Sequence, residues 1–125
     1  MQCFAKSDRG AVRKENQDRA AGARIRRKGC VVGVVCDGMG GAAGGCVASN
    51  LAAETYLSEL EKVLKEDMTP EQLREASAYA VAMANHAVEK RAEADAELSN
   101  MGTTLVSAIS YSDGVVISNV GDSRA

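Results

Sequence analysis

A continuous run of apolar, mostly β-branched residues leads straight into an acidic, glycine-rich turn. The run extends from Cys30 to Cys36, and Asp37-Gly38-Met39-Gly40-Gly41 follows it. A short, uninterrupted apolar run of this kind is typical of a strand buried on both faces. A helical pattern begins soon after the glycines, so the turn joins a strand to a helix. The sequence therefore predicts that Asp37 lies at the end of a buried strand, beside flexible glycine backbone that carries no side chains.

Three other short phrases combine polar, acidic and glycine residues in a similar way. Residues 13–18 read Arg-Lys-Glu-Asn-Gln-Asp, residues 101–104 read Met-Gly-Thr-Thr, and residues 121–124 read Gly-Asp-Ser-Arg. Carboxylates at strand ends beside glycine backbone form oxygen-lined sites for hard cations. Asp18 and Asp122 are therefore candidate metal ligands together with Asp37. For Asp18 and Asp122 the alternative interpretation is an ordinary turn residue.

Composition narrows the classes of protein to which this chain can belong. It has 125 residues, a formal net charge of −2, three Tyr, one Phe and no Trp. One domain fits this length. Because the chain has neither a basic net charge nor many aromatic side chains for stacking, a nucleic-acid partner is not expected. No apolar run is long enough for a transmembrane helix, so a membrane partner is not expected either.

The four cysteines, at positions 3, 30, 36 and 46, form no C-x-x-C pair. The single histidine, His86, is distant in sequence, so the pattern does not favour a zinc site. Free buried thiols are the expected state of these cysteines. Because the first residues also lack the apolar segment of a signal peptide, we expect a reducing, cytoplasmic location.

Two helices are predicted in the middle of the chain. Apolar residues recur at i and i+4 from about Gly44 to Glu66, which indicates an amphipathic helix. Thr69 is the predicted N-cap of a second helix that ends near Ala96, with Pro70 at its first position and Gln72 completing a capping box. The short link between the helices predicts an antiparallel pair with a packing role.

Strands are predicted on both sides of the helices. Residues 3–7 are a candidate opening strand, and the basic stretch at 24–28 fits the side and tip of a hairpin. Residues 103–111 and 115–120 have strand patterns, and Ser112-Asp113-Gly114 between them predicts a turn. The predicted order is β-β-α-α-β-β, which is an α+β fold with a largely antiparallel sheet.

In this order and spacing, the four phrases resemble those of the PPM family, the type 2C metal-dependent serine/threonine protein phosphatases, in their compact bacterial form. The resemblance extends over the whole chain. It implies a β-sandwich flanked by antiparallel helix pairs, of which residues 1–125 would be the N-terminal half. The family's two downstream metal-binding aspartates have no counterpart in this sequence.

The resemblance also implies a role for each candidate residue. Asp37 would bridge two divalent cations, and the backbone carbonyl of Gly38 would complete the coordination of one of them. Asp18 would act through bound water or directly on one ion, and Asp122 would belong to an outer, third ion. Arg13 would hold the phosphate oxygens with its planar fork. The cations would be Mn²⁺ or Mg²⁺, two or three in the complete domain.

The implied function is hydrolysis of phosphoserine and phosphothreonine esters in phosphoproteins by a metal-activated water, with a cognate serine/threonine kinase as the opposing enzyme. Met39 follows Gly38 where many eukaryotic relatives have a histidine, so protonation of the leaving group would fall to water or another group. With part of the ligand set absent, the chain is expected to be inactive alone and to self-associate. The alternative is a non-catalytic, phosphatase-like fragment that acts only as a metal-binding or association module.

Overall fold

A computed structural model of the protein describes residues 6–8, 10–12, 14, 16–25 and 29–125, with the backbone alone for residues 21–25 and 42. It contains five strands, two α-helices and one short 3₁₀ helix. In chain order these are β1 (Asp18–Ile25), β2 (Cys30–Met39), α1 (Gly41–Val63), α2 (Pro70–Ala94), the 3₁₀ helix (Ala96–Leu98), β3 (Gly102–Thr103), β4 (Leu105–Tyr111) and β5 (Gly114–Val120).

The strands form a single antiparallel sheet. Its order is β1-β2-β4-β5, and the short β3 pairs with the end of β2. Strand β1 pairs along its full length with β2, from Asp18 opposite Asp37 to Ile25 opposite Cys30, which confirms the predicted hairpin. Strands β4 and β5 pair down to Tyr111 opposite Gly114, so the predicted turn at residues 112–114 is also confirmed.

The opening strand expected at residues 3–7 is wrong for the part of it that the structure describes. Lys6 and Ser7 belong to no strand, and residues 3–5 lie outside the described residues. The hydroxyl of Ser7 accepts a hydrogen bond from the side-chain amide of Asn16 at 2.7 Å. This side-chain contact ties the segment to the residues that precede β1.

Both helices form where the sequence predicts them, with small changes at their ends. Helix α1 begins at Gly41, three residues before the predicted start. At the start of α2 the Thr69 hydroxyl accepts from the Gln72 N–H at 3.2 Å, and the Gln72 side chain accepts from the Thr69 N–H at 2.9 Å. The capping box is therefore confirmed. No helix of the described residues combines the length and hydrophobicity needed to cross a bilayer.

One face of the sheet packs against the helices and forms the core. Val32, Cys36 and Ile109 of this face have no exposed area, and neither do Tyr56 and Leu60 of α1. Alanines fill the remaining space between α1 and α2, which allows the two helices to approach closely. They are Ala48, Ala52, Ala53, Ala76, Ala80 and Ala84. The core is thus built from small and aliphatic residues with little aromatic content.

The opposite face of the sheet carries no helix. Along β2, buried residues alternate with half-buried or exposed ones, and Val35 is 51% exposed. Val115 and Ile117 of β5 are 55% and 52% exposed, whereas Val116 between them is buried. The prediction that the Cys30–Cys36 strand is buried on both faces is therefore wrong for the described chain. The helix pair covers one side of the strand, and no described segment covers the other. We call this second side the helix-free face.

The strand predicted at residues 103–111 is interrupted at Thr104. Strand β3 ends at Thr103 and β4 starts at Leu105. Between them, the Thr104 N–H donates to the carbonyl of Asp37 at 2.9 Å. The register with β2 is the same on both sides of Thr104, so the interruption is local.

A buried network of hydroxyl groups joins both helices to β4 and β5. The Tyr56 hydroxyl lies 2.8 Å from the Ser77 hydroxyl and 2.7 Å from that of Ser107, and Ser77 lies 2.7 Å from Ser118. Burial raises the pKa of Tyr56, and its hydrogen bonds to Ser107 and Ser77 offset part of that shift. Because every buried hydroxyl here has a partner, the network fixes how the helices sit on the sheet without an unpaired polar group.

Candidate functional site

Two of the predicted acidic residues meet across the first pair of strands. Asp18, the first residue of β1, is the direct partner of Asp37 near the end of β2, and both are exposed. Directly opposed residues of an antiparallel pair point to the same face, with Cα atoms about 4.5–5.5 Å apart. Asp37 alternates with the buried Cys36, so both carboxylates lie on the helix-free face. The fold thus brings together two carboxylates that are distant in sequence.

Hydrogen bonds from Thr103 and Thr104 hold the backbone of Asp37 on both sides. Its N–H donates to the Thr104 hydroxyl at 3.1 Å. Its carbonyl accepts from the Thr104 N–H at 2.9 Å and from the Thr103 hydroxyl at 3.1 Å. The two threonines therefore make three hydrogen bonds with the backbone of Asp37. A backbone held in this way fixes the position from which the Asp37 carboxylate projects.

The start of α1 crosses the end of β2 at Gly38. A Cβ added to Gly38 would overlap the carbonyl oxygen of Gly45 and lie 2.7 Å from that of Gln17. The Gly38 N–H donates to the same Gln17 carbonyl at 3.1 Å. Packing against α1 and the residue before β1 therefore requires glycine here, whatever the Gly38 carbonyl binds. Its predicted role as a metal ligand stays a prediction.

Asn16 organises the residues that lead into Asp18. Its side-chain oxygen accepts from the Asp18 N–H at 3.1 Å, and its amide nitrogen donates to Ser7. The alternative interpretation gave the Asp18 side chain the role of capping a turn. In the structure the Asn16 side chain caps this turn instead. An asparagine two residues before an amide donor is the usual pattern of such a turn, so the sequence did contain this information.

Asp122 lies in the exposed turn after β5. Hydrogen bonds of Thr104 connect this turn to the backbone of Asp37. The neighbouring Ser123 hydroxyl lies 2.8 Å from the Thr104 hydroxyl, which in turn accepts from the Asp37 N–H. Three of the four sequence phrases therefore meet at Thr104. The sequence pattern selected the phrases but gave no sign that Ser123 would make this contact.

The fourth phrase is only partly described. Arg13, the predicted phosphate-binding residue, lies outside the described residues. Within the described part of the chain, no three His, Cys, Asp or Glu side chains group closely enough to hold a metal ion. Asp18 and Asp37 are therefore a pair of oxygen donors, and they match the donor chemistry of Mn²⁺ and Mg²⁺ but not the usual number of ligands.

Other polar or reactive residues near the pair lack catalytic chemistry. Met39, at the end of β2, is 55% exposed and carries no exchangeable side-chain proton. His86 lies on the exposed side of α2. Burial raises the pKa of Cys36 to about 11, so this thiol stays protonated at neutral pH and is a poor nucleophile.

A comparison with known proteins assigns the family. The profile described as protein phosphatase 2C matches residues 9–125. The chain belongs to the protein phosphatase 2C family. Across 124 residues it is 38% identical to the serine/threonine phosphatase stp of Listeria innocua serovar 6a, a match that includes 99% of this chain and 48% of the relative. The chain therefore spans about half the length of the curated relatives it matches.

Solved structures of 2C phosphatases share the fold. Stp1 from Staphylococcus aureus superimposes with a TM-score of 0.81 at 31% identity, over 92% of this chain and 44% of that one. The catalytic domain of PstP, solved in complex with two manganese ions, superimposes with a TM-score of 0.73 at 30% identity, over 94% and 46% of the two chains. These matches confirm the predicted α+β fold of the 2C type.

Proposed function

We propose that this chain supplies one part of the active site of a metal-dependent protein serine/threonine phosphatase, and that residues 1–125 are the N-terminal portion of its domain. The observation that carries the proposal is the register of β1 and β2, which pairs Asp18 with Asp37 on the helix-free face. Membership of the 2C family and similarity to named serine/threonine phosphatases support it. The substrates would be phosphoserine and phosphothreonine residues of proteins, and the opposing enzyme a serine/threonine kinase.

Asp37, Asp18 and the Gly38 carbonyl would hold Mn²⁺ or Mg²⁺. The support is the donor chemistry, because all three offer oxygen atoms and hard cations prefer oxygen ligands. A related PstP structure contains two manganese ions. In our proposal Asp37 and Asp18 would hold the ions, Asp18 directly or through water, and the remaining carboxylates would come from outside residues 1–125. Asp122 would serve an outer, third ion.

When bound, such a cation pair supplies a nucleophile from water near neutral pH and offsets the charge of the phosphate. The residues of this chain have simpler tasks. The Asp37 carboxylate is held at a fixed position by the contacts of its backbone with Thr103 and Thr104. Arg13 would bind two phosphate oxygens at once through its guanidinium group. Met39 has no proton to give, so the proton for the leaving serine or threonine oxygen would come from water.

A cytoplasmic location fits the state of the thiols. Among the described residues Cys36 and Cys46 have free thiols, and Cys36 is buried. Free thiols persist most readily in a reducing compartment. We therefore propose a cytoplasmic location.

The second candidate is a phosphatase-like module without catalysis, which binds metal or associates with another chain. The grouping of only two carboxylates in the described residues favours it. So does the exposed apolar area of the helix-free face, where Val35 and Val115 are about half exposed. The two candidates differ in one measurable property, which is turnover of a phosphate ester.

The test compares hydrolysis of a phosphothreonine peptide, with Mn²⁺ or with excess chelator, by this chain and by a longer protein that joins it to the remaining part of a 2C domain. We expect the longer protein to require Mn²⁺ or Mg²⁺. The variant Asp37→Asn should lose most of the activity, because it removes charge from the centre of the site. The matched control Asp113→Asn changes the exposed β4–β5 turn and should keep it.

Full activity in excess chelator would rule out the metal-dependent mechanism. Equal rates for Asp37→Asn and Asp113→Asn would show that the site lies elsewhere. A longer protein that binds Mn²⁺ without any turnover would support the non-catalytic module instead.

A further inference from the structure

Thr104 lies between the strand end that carries Asp37 and the turn that carries Asp122. Its side chain is 2% exposed. Its hydroxyl accepts from the Asp37 N–H at 3.1 Å and lies 2.8 Å from the Ser123 hydroxyl. A threonine hydroxyl has one donor and two acceptor positions, so it can make both contacts at once. Either hydroxyl can be the donor in the contact between Thr104 and Ser123.

The methyl group of Thr104 contacts the same turn on its other side. Gly121 has a φ of +97°, and a Cβ added there would lie 2.9 Å from the methyl carbon of Thr104. A residue larger than glycine at position 121 would therefore push the turn away from Thr104. The turn is tied to the Thr104 hydroxyl through Ser123, and the absence of a side chain at Gly121 leaves room for the methyl group. Asp122 is the residue between these two contacts.

We infer that Thr104 is a positioning residue that ties the backbone of Asp37 to the Gly121-Asp122-Ser123 turn, so that the two carboxylates are held at a fixed separation. The inference rests on the proposed function, because the role of Thr104 would be to keep an outer cation site at a fixed distance from the Asp37 site. The hydroxyl is the essential group, because it alone contacts both segments through hydrogen bonds. Thr103 differs, since its hydroxyl contacts the carbonyl of Asp37 and the neighbouring backbone only.

Matched substitutions distinguish the contribution of the Thr104 hydroxyl from that of its methyl group. Thr104→Val removes the hydroxyl and keeps the shape, whereas Thr104→Ser keeps the hydroxyl and removes the methyl group. Ser123→Ala removes the same hydrogen bond from the exposed partner, so it tests the contact even where Thr104→Val fails to fold. Ser112→Ala makes the same chemical change in the exposed β4–β5 turn and serves as the control.

The first measurement needs no metal. Backbone ¹⁵N relaxation of the 125-residue chain reports the order parameters of Gly121, Asp122 and Ser123. We expect rigid values near 0.85 for the parent chain, and values below about 0.6 for Thr104→Val and Ser123→Ala. Thr104→Ser and Ser112→Ala should stay close to the parent. Unchanged order parameters in both Thr104→Val and Ser123→Ala would overturn the inference, as would equal loosening in Thr104→Ser.

The second measurement uses Mn²⁺ as the probe and separates this inference from the proposed function. Paramagnetic broadening of the Asp18 and Asp37 amides reports binding at the carboxylate pair, and broadening of the Asp122 amide reports its proximity. In Thr104→Val we expect Asp122 to need at least ~10-fold more Mn²⁺ for the same broadening, which is the lower end of the loss seen when residues supporting metal ligands are removed. Asp18, whose N–H is held by the Asn16 side chain, should respond as in the parent. Equal sensitivity of Asp122 in the parent and Thr104→Val would overturn the inference. If Asp18 and Asp37 show no broadening in any variant, the proposed metal site fails, and the order parameters alone decide the role of Thr104.

Discussion

The two faces of the sheet are built from alternating residues of the same strands, yet they have opposite surroundings. On the helix face Val32, Cys36 and Ile109 are fully buried beneath α1 and α2. On the helix-free face Val35, Val115 and Ile117 are about half exposed, and the carboxylates of Asp18 and Asp37 lie at the end of that face. One apolar face of the sheet is therefore buried within the described chain, and the other stays partly exposed. The candidate site lies on this partly exposed face. A segment that covers the face would therefore also lie close enough to add residues to the site.

The largest expected effect is on activity. We predict that the isolated chain hydrolyses a phosphothreonine peptide at least ~10³-fold more slowly than a protein carrying the whole 2C domain, because residues of one active site act as a unit and their losses are not additive. Metal affinity also falls when few charged ligands are present. A Mn²⁺-dependent peptide assay on equal molar amounts measures the ratio. A rate within ~10-fold of the whole domain would show that the pair is sufficient.

Equivalent truncations on the two sides should differ strongly in their effect on stability. Leu60 is fully buried between α1 and the sheet, whereas Ile117 is 52% exposed on the helix-free face. We predict that Leu60→Ala lowers the free energy of unfolding by about 2–5 kcal/mol, because it leaves a cavity in the core. Ile117→Ala should cost less than ~1 kcal/mol. Urea denaturation of both variants gives the two values, and similar costs would mean that the second face is covered in solution.

Alkaline pH should weaken the helix face through Cys36. Burial raises the pKa of this thiol from 9.0 to about 11, so the folded chain keeps a proton that the unfolded chain releases. The stability that depends on this proton is intact below pH 9 and falls as the pH rises from 9 to 11, by about 1.4 kcal/mol per pH unit at most. Urea melts across this range should show a shallower pH dependence for Cys36→Ala than for the parent chain. Ser49→Ala, a buried change without a titrating group, should keep the parent slope, and equal slopes for all three proteins would refute the assignment to Cys36.

The smallest effect concerns association through the helix-free face. Exposed apolar side chains in a contiguous patch favour contact with another surface. We predict that Val115→Lys with Ile117→Lys weakens self-association of the chain by about 10-fold, which corresponds to ~1.4 kcal/mol. Sedimentation equilibrium of the parent and the double variant measures the change. Ser58→Lys, an exposed position on α1, is the control for added charge, and an equal reduction by this control would assign the effect to net charge.

Local sequence signals predicted the elements that depend on nearby residues. The capping box of Thr69 and Gln72 is made by residues three positions apart, so the pattern was sufficient to place the start of α2. The glycine-rich turn after Asp37 predicted the junction of a strand with a helix in the same way. Asp18 and Asp37 were selected as candidates from their phrases, but these local signals did not determine the register that pairs them.

Contacts between distant segments were beyond the sequence pattern. The break at Thr104 arises because the Asp37 N–H donates to the Thr104 hydroxyl instead of to the Thr104 carbonyl across the strand pair. Likewise, the contact of Ser123 with Thr104 depends on how the turn after β5 folds back onto the sheet. The error in predicting burial on both faces of β2 has the same origin. An apolar strand indicates that burial of both its faces would be favourable. It does not indicate which segment of the chain packs against each face.

The sequence by itself determined the order of strands and helices, the caps, and the identity of the acidic residues, since each follows from composition or from neighbours along the chain. The tertiary structure decided the register that places Asp18 opposite Asp37, the side of the sheet on which both lie, and the role of Thr104 between Asp37 and Ser123. These features depend on hydrogen bonds across strands and on packing of α1 and α2 against one face. Such contacts join residues from distant parts of the chain, and only the folded backbone fixes their geometry.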